Sequence, residues 1–194
     1  PQHSGLSNPR LWLWAIVALG AGLRLYGLAR YSLWYDECAS LYLTRYAPGP
    51  GLFDITKNAE PPLNAMLTWA WSGVVSVAGL PVTSATHDFL LRLLPCLLGI
   101  AAIPLVFFWA RRIAGDRWTA LTAALLVAVS PFQIYYSQEL RIYAFYVVMC
   151  LLTSLCAWRA LHEDRPRWWV CLALGLTVLL YSHFFSVWFM VSLS

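Results

Sequence analysis

Charge is scarce in this sequence. Of its 194 residues, 11% are Asp, Glu, Lys or Arg and 60% are hydrophobic, whereas a soluble domain carries about 25% charged residues. That deficit excludes a water-solvated globule and predicts an integral membrane protein. Cysteine gives no framework. The five residues are odd in number, and Cys96, Cys150, Cys156 and Cys171 fall inside apolar runs, where Cys behaves as a small hydrophobe. Only Cys38 lies in a loop, and no metal-type spacing occurs. There is no internal repeat and no low-complexity tract. No small-residue cleavage site follows the first apolar run, residues 11–29, which is too long for a signal-peptide core and is expected to be a retained span. The net charge of +4 is modest, and its basic residues cluster in short loops at Arg111, Arg112 and Arg117 and at Arg159, Arg165 and Arg167. This is a topology signal, and no nucleic-acid partner is expected.

Long apolar runs are what the sequence does have. They predict transmembrane helices over residues 11–29, 89–110, 118–136, 142–158 and 168–189, each near the length that crosses ~30 Å of hydrocarbon. The expected fold is all-α: a polytopic transmembrane helix bundle with a long extracytoplasmic first loop, residues 30–88, carrying interfacial helices. Arg24 and Arg92 lie near span ends and are expected to snorkel toward the headgroups. The chain starts without Met and stops at Ser194 inside an apolar run that began at Trp168, so residues 1–194 are expected to be one N-terminal module of a longer protein.

Residues 63–80 follow Pro61-Pro62, a good helix start, but contain Ser72, Gly73, Ser76 and Gly79. They either cross the membrane or lie along it. If they do not cross, Arg10 and both arginine-rich loops share the cytoplasmic side, and the Asp36 loop, Glu60, the 137–141 turn and the end of the last span share the other. If they cross, Asp36 and Glu139 are separated by the whole bilayer. Charge counting nearly ties the two. The non-crossing arrangement is favoured because it gathers the ionisable groups, as membrane active sites require.

The ionisable groups are few enough to weigh singly. Asp36-Glu37, within Leu33-Trp34-Tyr35-Asp36-Glu37-Cys38, stand side by side in an aromatic loop beside hydrocarbon. One of them suits a general base for an acceptor hydroxyl or amine, since a like-charged neighbour and a partly dry site raise a carboxylate pKa. The competing explanation is that Asp36 caps a short helix over residues 36–46 and Glu37 sits in its first turn. In that helix Cys38, Leu41, Tyr42 and Tyr46 would share one face. Glu60 precedes Pro61-Pro62 and is therefore held extended. It is either a second acid of the same cavity, a candidate metal ligand, or a solvated loop acid. In the turn Ser137-Gln138-Glu139-Leu140-Arg141, Glu139 and Arg141 either pair or Arg141 grips a phosphate, which its planar fork suits. Alternatively this is a polar hairpin tip. His183, in Tyr181-Ser182-His183, is a candidate for phosphate or metal contact, or a satisfied polar group at the interface.

Taken in order, these motifs form a pattern. The first span is followed by Asp36-Glu37, then Glu60-Pro61-Pro62-Leu63, then Leu91-Arg92-Leu93-Leu94-Pro95. Next come Ser130-Pro131, the run from Tyr136 through Ser137-Gln138-Glu139-Leu140-Arg141 to Tyr143, and the run from Tyr181 to Phe185. The order resembles the N-terminal module of GT-C glycosyltransferases, nearest the branch of protein O-mannosyltransferases and lipid A aminoarabinose transferases. The resemblance implies transfer of a sugar from a polyprenyl-phosphate donor to a glycan, lipid or protein acceptor, with inversion at the anomeric carbon, on the extracytoplasmic face of a plasma or inner membrane. It implies that Asp36 is the base or orients the acceptor, that Glu37 supports it, and that Glu60 is the second loop acid. Ser137, Glu139, Arg141, Tyr143, Tyr181 and His183 would contact substrate. It leaves a divalent metal open, with Glu60 and His183 as candidate ligands and no other cofactor expected. It also implies that these residues alone are inactive, because relatives take contacts from later spans. Two rival classes are a transporter or channel subunit and a non-catalytic membrane scaffold. A transporter should carry its ionisable residues near mid-membrane, and here the acids sit at span ends.

Overall fold

The protein, in a computed structural model, is described at residues 9–46, 61–77, 79, 85–163 and 165–193. It is a helix bundle, with no strand among the described residues. In chain order the helices are α1 (Pro9–Leu25), α2 (Tyr35–Tyr46), α3 (Leu63–Ser76), α4 (Ala85–Ala114), α5 (Arg117–Val129), α6 (Pro131–Ser137), α7 (Tyr143–His162), α8 (Pro166–Ser182) and α9 (Ser186–Leu193). Helices α4 and α7 are each long and apolar enough to cross a membrane, and α5 with α6 makes a third candidate span, bent by 57°. With fourteen residues, α3 is about 21 Å long at 1.5 Å per residue, short of the ~30 Å hydrocarbon layer.

Small residues set the packing. Ala120, Ala124 and Ala128 recur every fourth residue on α5 and are fully buried against Leu13 of α1 and Ile103 and Phe107 of α4. A stripe without long side chains lets helix backbones approach closely, which is how apolar helices associate without a hydrophobic driving force. A second cluster joins Val75 of α3, Leu91 of α4 and Leu140, with Leu33, Leu41, Trp71 and Leu90 packed on it. It seats α2 and α3 on the bundle.

Two expected spans are broken, each for a local reason. Residues 118–136 do not form one helix. Ser130 is extended, its hydroxyl accepts the Gln133 N–H, and Pro131 opens α6. A proline cannot donate to the carbonyl four residues back, so Val127 is left without its helical partner. Residues 168–189 likewise break after Ser182, where His183 is extended and a new helix starts at Ser186. Pro95 inside α4 frees the Leu91 carbonyl in the same way, and the Trp71 indole N–H donates to it at 3.1 Å and to the Leu90 carbonyl at 2.9 Å.

The expectation that Arg24 and Arg92 snorkel is overturned. Arg24 is fully buried and Arg92 nearly so. Arg24 donates to backbone carbonyls and the Ser137 hydroxyl, and Arg92 to Glu37 and loop carbonyls, closer partners than the headgroups. Of the face expected on α2, Cys38 and Tyr42 are exposed and Leu41 is half-buried, while Glu37 and Ser40 are the residues turned inward.

Candidate active site at one end of the bundle

Glu37 is the centre of this end. It lies in the first turn of α2, is completely buried and accepts four hydrogen bonds. Oε1 takes the Nε–H of Arg92 at 2.9 Å and the backbone N–H of Leu140 at 2.7 Å. Oε2 takes Nη2 of Arg92 at 2.6 Å and the backbone N–H of Trp34 at 3.1 Å. The bond back to Trp34, three residues upstream, is one half of a capping box. The capping role weighed for Asp36 therefore belongs to Glu37. Arg92 is equally spent. Besides Glu37 it donates to the carbonyls of Leu28 at 3.2 Å, Tyr31 at 2.7 Å and Ser32 at 3.2 Å. Five bonds use the five N–H donors of the guanidinium. This bidentate pair joins the loop after α1, the start of α2, α4 and the turn between α6 and α7.

Arg24 does the same one layer further in. Its Nη1 donates to the carbonyls of Gly20 at 3.1 Å and Ala128 at 3.0 Å, its Nη2 to Val127 at 3.0 Å, and its Nε to the Ser137 hydroxyl at 3.3 Å. Val127 and Ala128 are the carbonyls at the C-terminal end of α5, two that the break at Ser130-Pro131 leaves open, and a cation there also meets the negative end of the helix dipole. Gly20 and Gly99 make room for it. A Cβ at Gly99 would stand 2.0 Å from the Ser137 Oγ, and one at Gly20 would stand 2.3 Å from the Ile103 Cδ1. Gln138 completes the join. Its side-chain amide donates to the Arg24 and Tyr26 carbonyls, both at 2.9 Å, closing the C-terminal end of α1.

Upon this frame the sequence candidates fall into groups. Asp36 is half-buried. Its neighbour Glu37 is saturated, yet the Asp36 carboxylate makes no hydrogen bond or ion pair with any described residue. One turn along α2, the Ser40 hydroxyl donates to the Asp36 carbonyl at 2.9 Å and accepts from Asn64 of α3 at 3.5 Å and from Nη1 of Arg141 at 3.4 Å. The helix bearing Asp36 therefore touches the 137–141 turn at both Leu140 and Arg141. Glu139, in that turn, is buried. Burial pushes its carboxyl above the ordinary range and the Glu37 charge adds to this, against the lowering effects of the Tyr135 hydroxyl and of Arg141 and Arg92.

A cavity of about 370 Å³ opens beside the turn, lined by Phe132, Gln133, Tyr136, Ser137, Tyr143, Ala144, Tyr146, Val147, His183 and Phe185. Three predicted residues, Ser137, Tyr143 and His183, share it. Its wall is a chain of rings. Tyr136 meets Tyr143 edge-on at 4.6 Å between centroids, and His183 lies 5.9 Å from Tyr143, 5.8 Å from Tyr146 and stacked on Phe185 at 4.9 Å. The Arg141 guanidinium sits 5.9 Å from the Tyr143 ring, so it borders the same wall from outside the cavity. Tyr181 is half-exposed on α8 and does not line the cavity. Glu60 lies outside the described residues.

Of the two metal candidates, His183 alone lies among the described residues. His183 is enclosed by rings, its Nδ1 accepts the Phe185 N–H at 3.2 Å, and the described residues hold no group of three or more His, Cys, Asp or Glu able to bind a metal. The described residues thus do not fit a metal site at His183.

The residues that sequence reasoning missed are the frame itself: Arg92, Arg24, Gln138, Ser40 and Asn64. The available signal was a cation three residues inside a span, as at Arg92, on the same side as an unexplained acid.

An all-α bundle with apolar spanning helices and one end gathering its acids, arginines and an aromatic cavity defines an integral membrane protein with a polar site at one end. Residues 60–193 match the family of dolichyl-phosphate-mannose-protein mannosyltransferases, and the chain belongs to that family. It is a glycosyltransferase of the mannosyltransferase type, which sets the transporter class aside. The matched stretch holds the 137–141 turn, the cavity and Arg92, while the Asp36-Glu37 doublet precedes it. Comparison with curated proteins and with solved structures gave no match.

Proposed function

We propose that this chain carries the acceptor-activating site of a glycosyltransferase that moves a sugar from a polyprenyl-phosphate donor to an acceptor hydroxyl or amine, with inversion, on the extracytoplasmic side. Asp36 is the base. One observation carries the assignment: of two adjacent carboxylates, Glu37 has every strong acceptor position filled, while Asp36 is partly shielded and uncommitted. In the reaction the acceptor proton passes to the Asp36 carboxylate. The acceptor oxygen or nitrogen attacks the anomeric carbon from the face opposite the phosphate. The bond from carbon to phosphate oxygen breaks, and the polyprenyl phosphate leaves with the electron pair. A phosphate is already a good leaving group, so positioning and positive charge supply most of the rate. Arg141 is the candidate cation for that phosphate, and the cavity of Ser137, Tyr143 and His183 the donor's seat beside it. Glu37 is a positioning residue, fixing Asp36 to the 137–141 turn. The shortness of α3 and the meeting of the Asp36 helix with that turn support the non-crossing topology, with both on the extracytoplasmic face.

The test is sugar transfer from a polyprenyl-phosphate donor by full-length protein in membranes, with expression controlled. Asp36→Asn is expected to lower the rate by about 10²–10⁴-fold, the usual contribution of a general base, without changing the amount of folded protein. Undiminished transfer removes Asp36 from the mechanism.

A further inference from the structure

The opposite end of the bundle is basic. Residues 111–117 and 159–167 contain six arginines and three carboxylates (Asp116, Glu163 and Asp164), a balance of +3. A second cavity of about 370 Å³ runs between α4 and α7 toward this end, lined by Leu105, Phe108, Trp109 and Arg112 of α4 and by Leu151, Leu152, Leu155 and Arg159 of α7. The spacing is helical on both sides. Residues 105, 108, 109 and 112 form one stripe, and 151, 152, 155 and 159 another. Each stripe is apolar along its length and closes with an arginine in the last turns of its helix.

The two arginines are held in place yet have hydrogen-bonding capacity to spare. The Arg112 guanidinium lies 4.0 Å over the Trp158 ring and that of Arg159 lies 4.4 Å over Trp168. Both approach Oε1 of Glu163 at 3.8 Å, beyond hydrogen-bond length. The other Glu163 oxygen is held by the Trp168 indole at 2.7 Å. The Arg159 Nε is buried without a hydrogen-bond partner, and neither guanidinium makes a hydrogen bond to a described residue. The cavity volume falls within the range of small-molecule sites, roughly 300–1,000 Å³.

We infer that this groove seats one anionic phospholipid, with its acyl chain along the Leu105, Phe108, Leu152 and Leu155 walls and its phosphate on the forks of Arg112 and Arg159. Charge complementarity selects the occupant. An apolar slot in a membrane accepts any lipid chain, but paired guanidinium groups at its mouth favour a headgroup with net negative charge over a zwitterion, as basic pockets between transmembrane helices do. The site lies at the other end of the bundle from Asp36 and does not depend on the proposed reaction.

Native mass spectrometry of full-length protein, titrated with phosphatidylglycerol or with phosphatidylcholine of the same chains, tests this. The wild type is expected to prefer phosphatidylglycerol by about tenfold or more, given the attraction per basic residue near a membrane surface. Arg112→Gln with Arg159→Gln abolishes the preference. Arg165→Gln with Arg167→Gln removes as much charge from the same end and leaves it intact. Leu152→Trp, which fills the slot and keeps both arginines, lowers phosphatidylglycerol binding, and it serves also where the double arginine variant fails to fold. Equal loss in the two double variants, no preference in the wild type, or unchanged binding by Leu152→Trp overturns the proposal.

Discussion

Adjacent residues in one turn of helix are held very differently at the proposed site. Glu37 points into protein and is bound on both oxygens by four donors, whereas Asp36, one residue earlier, is partly open and bound by none of the described residues. The difference should be measurable without any assay of activity. Removing one member of a buried ion pair strands the other, which typically destabilises by about 3–5 kcal/mol. Glu37→Ala is expected to act in that range, because it also frees the Trp34 and Leu140 amides. Asp36→Ala should stay within about 0.5 kcal/mol, as a substitution that breaks no contact does. Unfolding of purified full-length variants under increasing denaturing detergent reads both. Similar losses for the two would show that the carboxylates share one structural task and would remove the contrast on which the assignment of Asp36 rests. The sequence made the doublet conspicuous but could not apportion it. Side-by-side acids look alike until the partner, Arg92, is seen to reach only one of them from 55 residues away.

Broken helices position this site. The break at Pro131 turns α6 by 57° and delivers Ser137 to Arg24, and the break after Ser182 swings His183 into the aromatic cavity. The carbonyls released by Pro95 and Pro131 are taken by Trp71 and Arg24, so each break is also a point of attachment. The close fit there predicts unequal outcomes for two glycines. Gly99→Ala forces a methyl group against the buried Ser137, with 2.0 Å to its Oγ and 2.6 Å to its Cβ, and should destabilise by about 1–3 kcal/mol, as overpacking does. Gly22→Ala, with nothing within 4 Å of its Cβ, should be neutral or stabilise by about 0.5–1 kcal/mol through helix propensity. The same detergent unfolding separates them, and a neutral Gly99→Ala would mean that the Arg24–Ser137 layer is slack. Apolar runs made the existence and order of the main helices legible, because crossing hydrocarbon constrains composition strongly. The breaks were less so. Ser130-Pro131 was visible as a motif, yet periodicity runs straight through it, and the stop after Ser182 has no proline or glycine to mark it. Arg24 and Arg92 were misjudged for a related reason: proximity to a span end suggests an escape to the headgroups, but local sequence does not show the carbonyls of distant segments waiting nearby.

Across the whole molecule the two ends differ in kind. One gathers Asp36, the Glu37–Arg92 pair, Glu139, Arg141 and the aromatic cavity. The other gathers the short arginine loops, where Arg112, Arg159 and Glu163 stand together. Helices α4 and α7 both begin at the first end and finish at the second, so α5, which follows α4 in the chain, runs back toward the first end. The orientation of the bundle then decides which compartment meets the site. Short loops rich in arginine tend to stay on the cytoplasmic side, and the proposed orientation therefore has the Asp36 end outside. Single cysteines in a background without the five native ones read this in intact cells with a membrane-impermeant maleimide. Tyr35→Cys, at a residue 83% exposed beside Asp36, is expected to react from outside. Arg167→Cys, in the first turn of α8 and also exposed, should react only after permeabilisation. The reverse pattern would turn the site toward the cytoplasm. Labelling of both positions from one side would be incompatible with the bundle, since the ends they mark are separated by the length of α4, thirty residues or about 45 Å of helix.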